Sequence, residues 1–129
     1  MIEISSGTPE NLVVAVAHGK VTGGDYEQVL IPAIEAKLKT QKKIRFLYQL
    51  ARDFGGFTAG AVWDDAKLSL GHLTAFEAVA VVTDVPWITD GVKFFAFFLH
   101  CPVKAFHNED LGEAMDWVEH TTWRTVAEV

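Results

Sequence analysis

Cysteine is almost absent from this chain: Cys101 is the single one among 129 residues. No intramolecular disulfide can form, and a metal site built from several cysteines is excluded. The fold must therefore rely on its hydrophobic core instead of covalent cross-links. So little cysteine also favours a reducing compartment, which predicts a cytoplasmic protein.

Positive charge is scarce as well, with 11 lysine and arginine residues against 17 acidic residues and a formal net charge of −6. The basic residues are scattered, apart from a group formed by Lys37, Lys39, Lys42, Lys43 and Arg45. Nucleic-acid binding needs a basic face that contacts phosphates. The charge balance therefore predicts that the chain does not bind nucleic acid.

Long apolar runs are missing too. The most apolar stretch, residues 94–99, is far shorter than the roughly 20 residues that cross a bilayer. Residues 1–6 hold neither the basic segment nor the apolar run of a secretion signal. We expect a chain without a leader, able to lie at the inner face of a membrane but not to cross it.

Apolar side chains are plentiful, at 50% of the residues, which is enough for one domain to bury a core. Short β-branched runs alternate with segments of helical periodicity, a pattern typical of an α/β sheet layered with helices. The first two strands should pair antiparallel across a short turn, and strands joined through helices should be parallel. We predict a single domain over residues 1–120, followed by a C-terminal tail over 121–129.

The predicted architecture is a mixed five-stranded sheet flanked by about four helices. Pro32 lies inside the first helix, where it removes a backbone hydrogen bond. This predicts either a kink near Gln28 to Pro32 or a helix that begins afresh there. The predicted strands are Ile2–Ser5, Asn11–Ala17, Ile44–Leu50, Ala78–Thr83 and Val103–Phe106. The first predicted helix begins at Thr22, which caps it together with Asp25. The other three predicted helices are Ala59–Leu73, Pro86–Leu99 and Glu109–Glu119.

Several short motifs occur together along the chain. They are Gly19-Lys20-Val21-Thr22, Asp25-Tyr26, Phe54-x-Gly56-Phe57-Thr58-x-Gly60-Ala61-x-Trp63-x-Asp65, Ala78-Val79-Ala80-Val81-Val82, Pro86-Trp87 and Ala114-x-x-Trp117. With these motifs, residues 10–120 resemble the SpoIIAA-like family of small STAS-type proteins (sulfate transporter and anti-sigma factor antagonist). The stretch from Gly56 to Asp65 is the most specific part of the resemblance.

The resemblance implies a STAS-like fold in proteins known mainly as regulatory and binding modules, some of which look like lipid-carrier domains. It implies no defined reaction and no cofactor. Anti-sigma-factor antagonists of this group carry a phosphorylatable serine at the start of the helix that follows the central strand. The nearest residue here is Thr58, and no Asp-Ser-Ser signature accompanies it. The resemblance therefore does not by itself assign a phosphorylation switch to Thr58.

Thr58 has two interpretations. In the first, its hydroxyl is an N-cap that accepts a hydrogen bond from a first-turn amide of the next helix. In the second, the amides after Gly55 and Gly56 and the helix dipole make the Gly55–Thr58 loop an anion site, a phosphorylation site or a recognition site for a partner. The sequence leaves both open.

Patterns for catalysis and metal binding are weak. Cys101 lies beside His100 and near His107, but it precedes Pro102 at the entrance of a predicted strand, where small buried cysteines are common. The five histidines show no spacing typical of metal ligands. We predict a non-enzymatic chain without a metal site.

The unusual feature is the predicted helix over residues 87–99. One stripe at helical spacing suffices to pack it on the sheet, and that stripe consists of Ile88, Val92, Phe95 and Leu99. Phe94, Phe97 and Phe98 lie outside the stripe, so a second surface must cover them. That surface is a neighbouring helix or a homodimer partner, a pocket for an apolar small molecule or lipid, or a membrane.

We therefore predict a non-enzymatic regulatory or binding module for an apolar or lipid-like ligand, which associates peripherally with a membrane through the 87–99 helix. Lys93 is the single basic residue on that helix, so membrane association should be weak and depend on apolar contact. The alternative is a protein-interaction regulator similar to anti-sigma-factor antagonists, which uses the Gly55–Thr58 segment. The predicted contact residues of the first hypothesis are Phe54, Phe57, Trp63, Trp87, Phe94, Phe97 and Phe98.

Overall fold

The apolar runs of the sequence build one five-stranded sheet in the order β1-β2-β3-β4-β5. The computed structural model describes residues 1–5, 8–9, 11–63, 75–95 and 101–122, and for Phe94 and Phe95 it describes the backbone alone. β1 pairs antiparallel with β2, and the other neighbours pair parallel, which confirms the predicted mixed α/β sheet. The strands are β1 (Ile2–Ile4), β2 (Leu12–Val21), β3 (Ile44–Phe57), β4 (Phe76–Val82) and β5 (Val103–Phe106).

Helical segments follow the strands in the predicted order. The described helices are α1 (Gly23–Asp25), a π-helical segment (Tyr26–Leu30), α2 (Ile31–Leu38), α3 (59–63), α4 (Pro86–Phe95), a 3₁₀ turn (Asn108–Asp110) and α5 (Leu111–His120). The predicted continuation of two of these helices, over residues 64–73 and 96–99, lies outside the described residues. Residues 123–129 of the predicted tail also lie outside them.

The first helix begins as predicted, with Thr22 as its cap. The Thr22 hydroxyl accepts a hydrogen bond from the amide of Asp25 at 3.3 Å, and the Asp25 carboxylate accepts one from the amide of Thr22 at 2.8 Å. This bond holds the pKa of Asp25 below its ordinary value. At the position of the predicted kink or fresh start, a π-helical segment precedes α2, and the amide of Ile31 donates to the carbonyl of Tyr26 five residues back. α2 begins at Ile31, with Pro32 in its first turn.

β3 is seven residues longer than predicted, and this corrects the interpretation of Gly55–Thr58 as a loop. Gly55, Gly56 and Phe57 belong to the strand, and Thr58 is the residue that follows it. Glycine pairs usually end strands, but here β2 also continues past Ala17 and supplies a pairing partner, with Gly19 beside Phe54 and Lys20 beside Gly56. Both strands absorb the irregular register with glycines at positive φ, +57° at Gly19 and +113° at Gly56.

The two faces of the sheet carry separate cores. The first core takes its helical members from the segments after β2, β3 and β4, namely Tyr26, Leu30, Ile34, Ala61 and Ile88. Among the described helices, α5 alone contributes to the second core, through Ala114 and Val118. The first three crossovers therefore lie on one face, and α5 covers the other.

A buried arginine fastens α5 to the sheet. Arg45, in β3, is 8% exposed, and its Nη1 donates to the main-chain carbonyls of Val118 and Thr121 at 2.8 Å each. Its Nε donates to Glu77 at 3.1 Å. These contacts satisfy carbonyls that the end of a helix would otherwise leave unpaired. α5 thus has a fixed end on the second face of the sheet.

Candidate functional site

Three parallel strands end at one edge of the sheet, and each is followed by a threonine that supports the next helical segment. Thr22 follows β2, Thr58 follows β3 and Thr83 follows β4. The hydroxyl of Thr58 accepts from the amide of Ala61 at 3.2 Å, and that of Thr83 accepts from the amide of Val85 at 3.1 Å. We call this the carboxyl edge, the edge at which α1, α3 and α4 begin. In open α/β sheets, ligands bind at this edge.

Thr58 has the geometry of the predicted N-cap. Besides the hydroxyl bond to Ala61, its carbonyl accepts from the amide of Val62 at 3.1 Å, and its own amide donates to the carbonyl of Val21 at 2.9 Å. The starts of α3 and α1 lie close together, because a β-carbon added at Gly60 would be 3.7 Å from the α-carbon of Gly23. Thr58 is half-buried at this junction.

Phe54 and Phe57 contact each other at the end of β3. Their ring centroids lie 4.9 Å apart and their planes meet at 60°. Both rings are half-buried and pack against the first core. Their first role is therefore to extend this core towards the carboxyl edge, and they present only part of their surface to a ligand.

The two tryptophans predicted as contact residues are exposed. Trp63 in α3 is 66% exposed and Trp87 in α4 is 64% exposed, and Val62 beside Trp63 is 57% exposed. Both tryptophans stand in the first two turns of helices that begin at the carboxyl edge and pack on the first core. We use the name aromatic surface for the two tryptophans, Trp63 on α3 and Trp87 on α4, together with the aliphatic Val62 beside Trp63.

The stripe that packs α4 on the sheet is confirmed in its described part. Ile88 is 8% exposed and Val92 packs against the first core. Trp87, next to Ile88, points away from this core and stays exposed. The side chain of Phe94, and Phe97 and Phe98 as a whole, lie outside the described residues. Their part in the site stays a prediction.

A polar network that the sequence did not reveal joins three segments near the same edge. The amide and side-chain nitrogen of Asn108 each donate to the Asp84 carboxylate at 3.0 Å, and the side-chain nitrogen also donates to the carbonyl of Leu50 at 2.9 Å. Gln49 donates to the Asn108 side-chain oxygen at 2.9 Å. The bonds from Asn108 hold the pKa of Asp84 below its ordinary value. The network locks the turn before α4 to β3 and to the turn before α5.

The described cysteine and histidine side chains are not arranged as a nucleophile with a general base. Burial raises the pKa of the Cys101 thiol to about 11, so the thiol is protonated at neutral pH and a poor nucleophile. His18 binds Asp53 through Nδ1 at 2.9 Å, at an exposed position on β2 and β3. Within the described ranges, no three histidine, cysteine, aspartate or glutamate side chains are arranged to hold a metal ion.

No helix in the described part of the chain is long and apolar enough to cross a membrane.

The fold and the carboxyl edge define a class of protein: an α/β sheet domain with capped helices and exposed aromatic residues at that edge. A sequence profile of the SpoIIAA-like family matches residues 12–119. The chain belongs to the SpoIIAA-like family, as the resemblance of its motifs predicted. No curated protein sequence matches it.

A solved structure supports the same assignment. It is the crystal structure of an uncharacterised protein from the DUF3478 family of Shewanella loihica PV-4, described as having a SpoIIAA-like fold. The two chains are 30% identical and align with a TM-score of 0.75, over 91% of this chain and 93% of that chain. The fold fits a regulatory module, and SpoIIAA-like domains commonly interact with regulatory proteins.

Proposed function

We propose that this chain is a non-catalytic regulatory module that binds a lipid-like target, at a membrane surface, through the aromatic surface on α3 and α4. The observation that supports this most strongly is the exposure of Trp63 and Trp87 by about two thirds at one edge of the sheet. Contiguous exposed apolar residues are typical of a binding surface, and Val62 and Trp63 are exposed neighbours on α3. Indole rings are also favoured where an apolar phase meets water.

The exposed area is large enough to matter energetically. Covering the exposed part of one indole ring would contribute roughly 2–4 kcal/mol, before the cost of ordering the complex is subtracted. Because α4 carries an exposed Asp90 as well as the exposed Lys93, charge adds little net attraction to an anionic surface. Binding should therefore be weak, and it should depend little on salt.

The test is co-sedimentation of the purified chain with phosphatidylcholine vesicles. We expect Trp63→Ser combined with Trp87→Ser to weaken binding at least about tenfold, since about 1.4 kcal/mol corresponds to a factor of ten. The matched control is Trp63→Phe with Trp87→Phe, which keeps an aromatic ring at both positions and should bind within about threefold of the wild type. Vesicle binding that the serine variant retains in full would show the proposal to be wrong.

A second measurement separates a bound lipid from a membrane contact. Native mass spectrometry of the purified chain should show a copurified apolar molecule if a single lipid is the target. Phe94→Asp with Phe98→Asp tests the predicted continuation of the surface along the helix, and we expect this variant to lose vesicle association.

The alternative function is recognition of a regulatory protein at Thr58. It is supported by the position of Thr58, half-buried where the starts of α1 and α3 meet, a place where a phosphoryl group would face two helix N-termini. A pull-down from a lysate tests it with Thr58→Ala, Thr58→Glu and the wild type. Equal recovery of every partner by the three proteins would count against this alternative.

A further inference from the structure

Four lysines lie within seven consecutive residues at the end of α2 and in the segment that leads to β3. We call them the lysine patch: Lys37, Lys39, Lys42 and Lys43. Lys39, Lys42 and Lys43 are exposed and Lys37 is half-buried. The patch holds four of the 11 basic residues of an acidic chain, and residues 36–46 contain no acidic residue.

The patch charges have no described counter-charge. None of the four lysines forms an ion pair with a residue that the structure describes, whereas the neighbouring Arg45 is buried and bonded to Glu77 and to the end of α5. Lys37 and Lys39 also suit the negative end of the α2 dipole, but Lys42 and Lys43 lie beyond the helix. The α2 dipole therefore accounts for Lys37 and Lys39 only, and Lys42 and Lys43 are additional positive charges at this end of the sheet.

The patch is remote from the aromatic surface. Ile44 follows Lys43 directly and is the first residue of β3. Its amide donates to the carbonyl of Ala75, just before β4 begins. The lysines therefore lie at the amino edge of the parallel strands, opposite the carboxyl edge. Beside them is an open concavity of about 330 Å³, lined by Ala33, Ala36, Lys37 and Thr40.

We propose that the lysine patch binds an acidic segment of a partner protein, whose carboxylates lie against Lys39, Lys42 and Lys43. An apolar side chain of the same segment, such as leucine, lies in the neighbouring open concavity against the methyl groups of Ala33 and Ala36. This inference concerns a different surface from the aromatic one and does not rest on the proposed function.

Charge favours a short segment over an extended polyanion. Without the patch, 7 basic residues remain against 17 acidic ones, so the rest of the chain has a formal charge of −10. A membrane or a nucleic acid extends past the patch and meets this negative remainder. A segment confined to the patch is attracted by charges within the Debye length, about 8 Å at physiological salt, and is screened from the others.

The test is fluorescence anisotropy with a labelled twelve-residue peptide that contains eight glutamates around one leucine. A second peptide, with glutamine in place of every glutamate, measures binding that does not depend on charge. We expect the wild type to bind the glutamate peptide and to lose about tenfold in affinity between 50 and 500 mM NaCl. The glutamine peptide should show no measurable binding.

Two double variants make the same change in net charge at different places. Lys39→Glu with Lys42→Glu should weaken binding of the glutamate peptide at least tenfold, and Lys20→Glu with Lys104→Glu, at exposed positions elsewhere, should change it less than about threefold. If Lys39→Glu with Lys42→Glu lowers the melting temperature, Lys39→Gln with Lys42→Gln replaces it. Equal losses in both double variants would overturn the proposal, because binding would then follow net charge alone.

Two other occupants are outcomes of the same set of measurements. Vesicles of phosphatidylcholine with 30% phosphatidylserine that bind through Lys39 and Lys42, while the peptide does not, would assign the patch to a membrane and overturn the proposal. Salt-sensitive self-association in sedimentation velocity that the patch variant abolishes, without peptide binding, would assign it to a second copy of the chain and overturn it too.

Discussion

Arg45 and Val118 are joined by a hydrogen bond of 2.8 Å between the guanidinium Nη1 and the main-chain carbonyl, although 73 residues separate them. The same nitrogen reaches the carbonyl of Thr121. One buried side chain of β3 thus closes the end of the helix that covers the second face of the sheet. The stability of that face should depend on it.

Arg45→Met tests this dependence. The methionine fills part of the space but leaves the two carbonyls without their donor, and each buried unsatisfied carbonyl costs roughly 1–3 kcal/mol. We expect the free energy of unfolding to fall by about 2–4 kcal/mol, measured by urea denaturation. Arg52→Met, at an exposed position, is the control and should change it by less than about 0.5 kcal/mol. A similar loss in both variants would rule out a special role for Arg45.

Asn108→Ala removes the side chain that links Gln49, Leu50 and Asp84. We expect the free energy of unfolding to fall by about 1.5–3 kcal/mol at pH 7, because three side-chain hydrogen bonds disappear together. Glu109→Ala, at the exposed neighbouring position, should have little effect.

The same variant carries a pH dependence. The folded pKa of Asp84 is below its ordinary value of 3.8, so the stability that its ionised form contributes is present above about pH 3.8 and is lost as the pH falls through the folded pKa. The main-chain bond from Asn108 is the larger cause of this low pKa and remains in Asn108→Ala, so the difference in free energy of unfolding between the wild type and this variant should narrow below pH 3.8 only by the part that the side-chain bond contributes. Urea denaturation at pH 7 and pH 3 measures it, and a difference that stays constant would contradict this account of Asp84.

Thr58→Ala removes the cap of α3, and we expect it to cost about 1 kcal/mol. Thr58→Ser and Thr58→Asp keep an oxygen that can accept from the amide of Ala61, so they should lose much less. Thermal unfolding of the three variants checks this order. If serine and aspartate were as destabilising as alanine, the hydroxyl bond to Ala61 would not be what stabilises the start of the helix.

Cys101 should be unreactive in the folded chain. Its pKa of about 11, against an ordinary value of 9.0, lowers the thiolate fraction at neutral pH by about a hundredfold. Labelling with Ellman's reagent should therefore be at least about a hundred times slower in the native chain than in urea. Because the folded state keeps a proton that the unfolded state loses, the wild type should lose stability between pH 9 and 11 relative to Cys101→Ala.

The five strands could be located along the chain because strands buried on both faces appear in the sequence as short apolar runs. Val103–Phe106 was located at its exact bounds, and the antiparallel start of the sheet followed from the short turn after β1. The cap at Thr22 was also predictable, since it depends on two residues three positions apart. Local patterns were reliable wherever the interactions that decide the structure are themselves local.

The second half of β3 could not be predicted, because the Gly55-Gly56 pair is read as a turn unless the partner strand is known. Its continuation depends on Gly19 and Lys20, more than thirty residues earlier. The network around Asn108 was missed for the same reason, since Asp84 and Gln49 are distant in sequence and show no periodicity. Of the predicted contact residues, Trp63 and Trp87 are exposed, whereas Phe54 and Phe57 pack against the first core. Their part in binding stays a prediction.

The π-helical segment divides the first crossover into two short helical halves that bury side chains on the same face. Tyr26, Leu30 and Ile34 are fully buried on that face, although the hydrogen-bond spacing changes between them. The wider turn acts as a one-residue insertion that the helix has absorbed without rotating its second half away from the sheet. Removing that extra residue would return the turn to ordinary α-helical spacing, and both halves of the helix would keep their buried faces towards the sheet. The turn before Pro32 is therefore the place in this crossover where the chain can gain or lose one residue without turning its buried side chains away from the core.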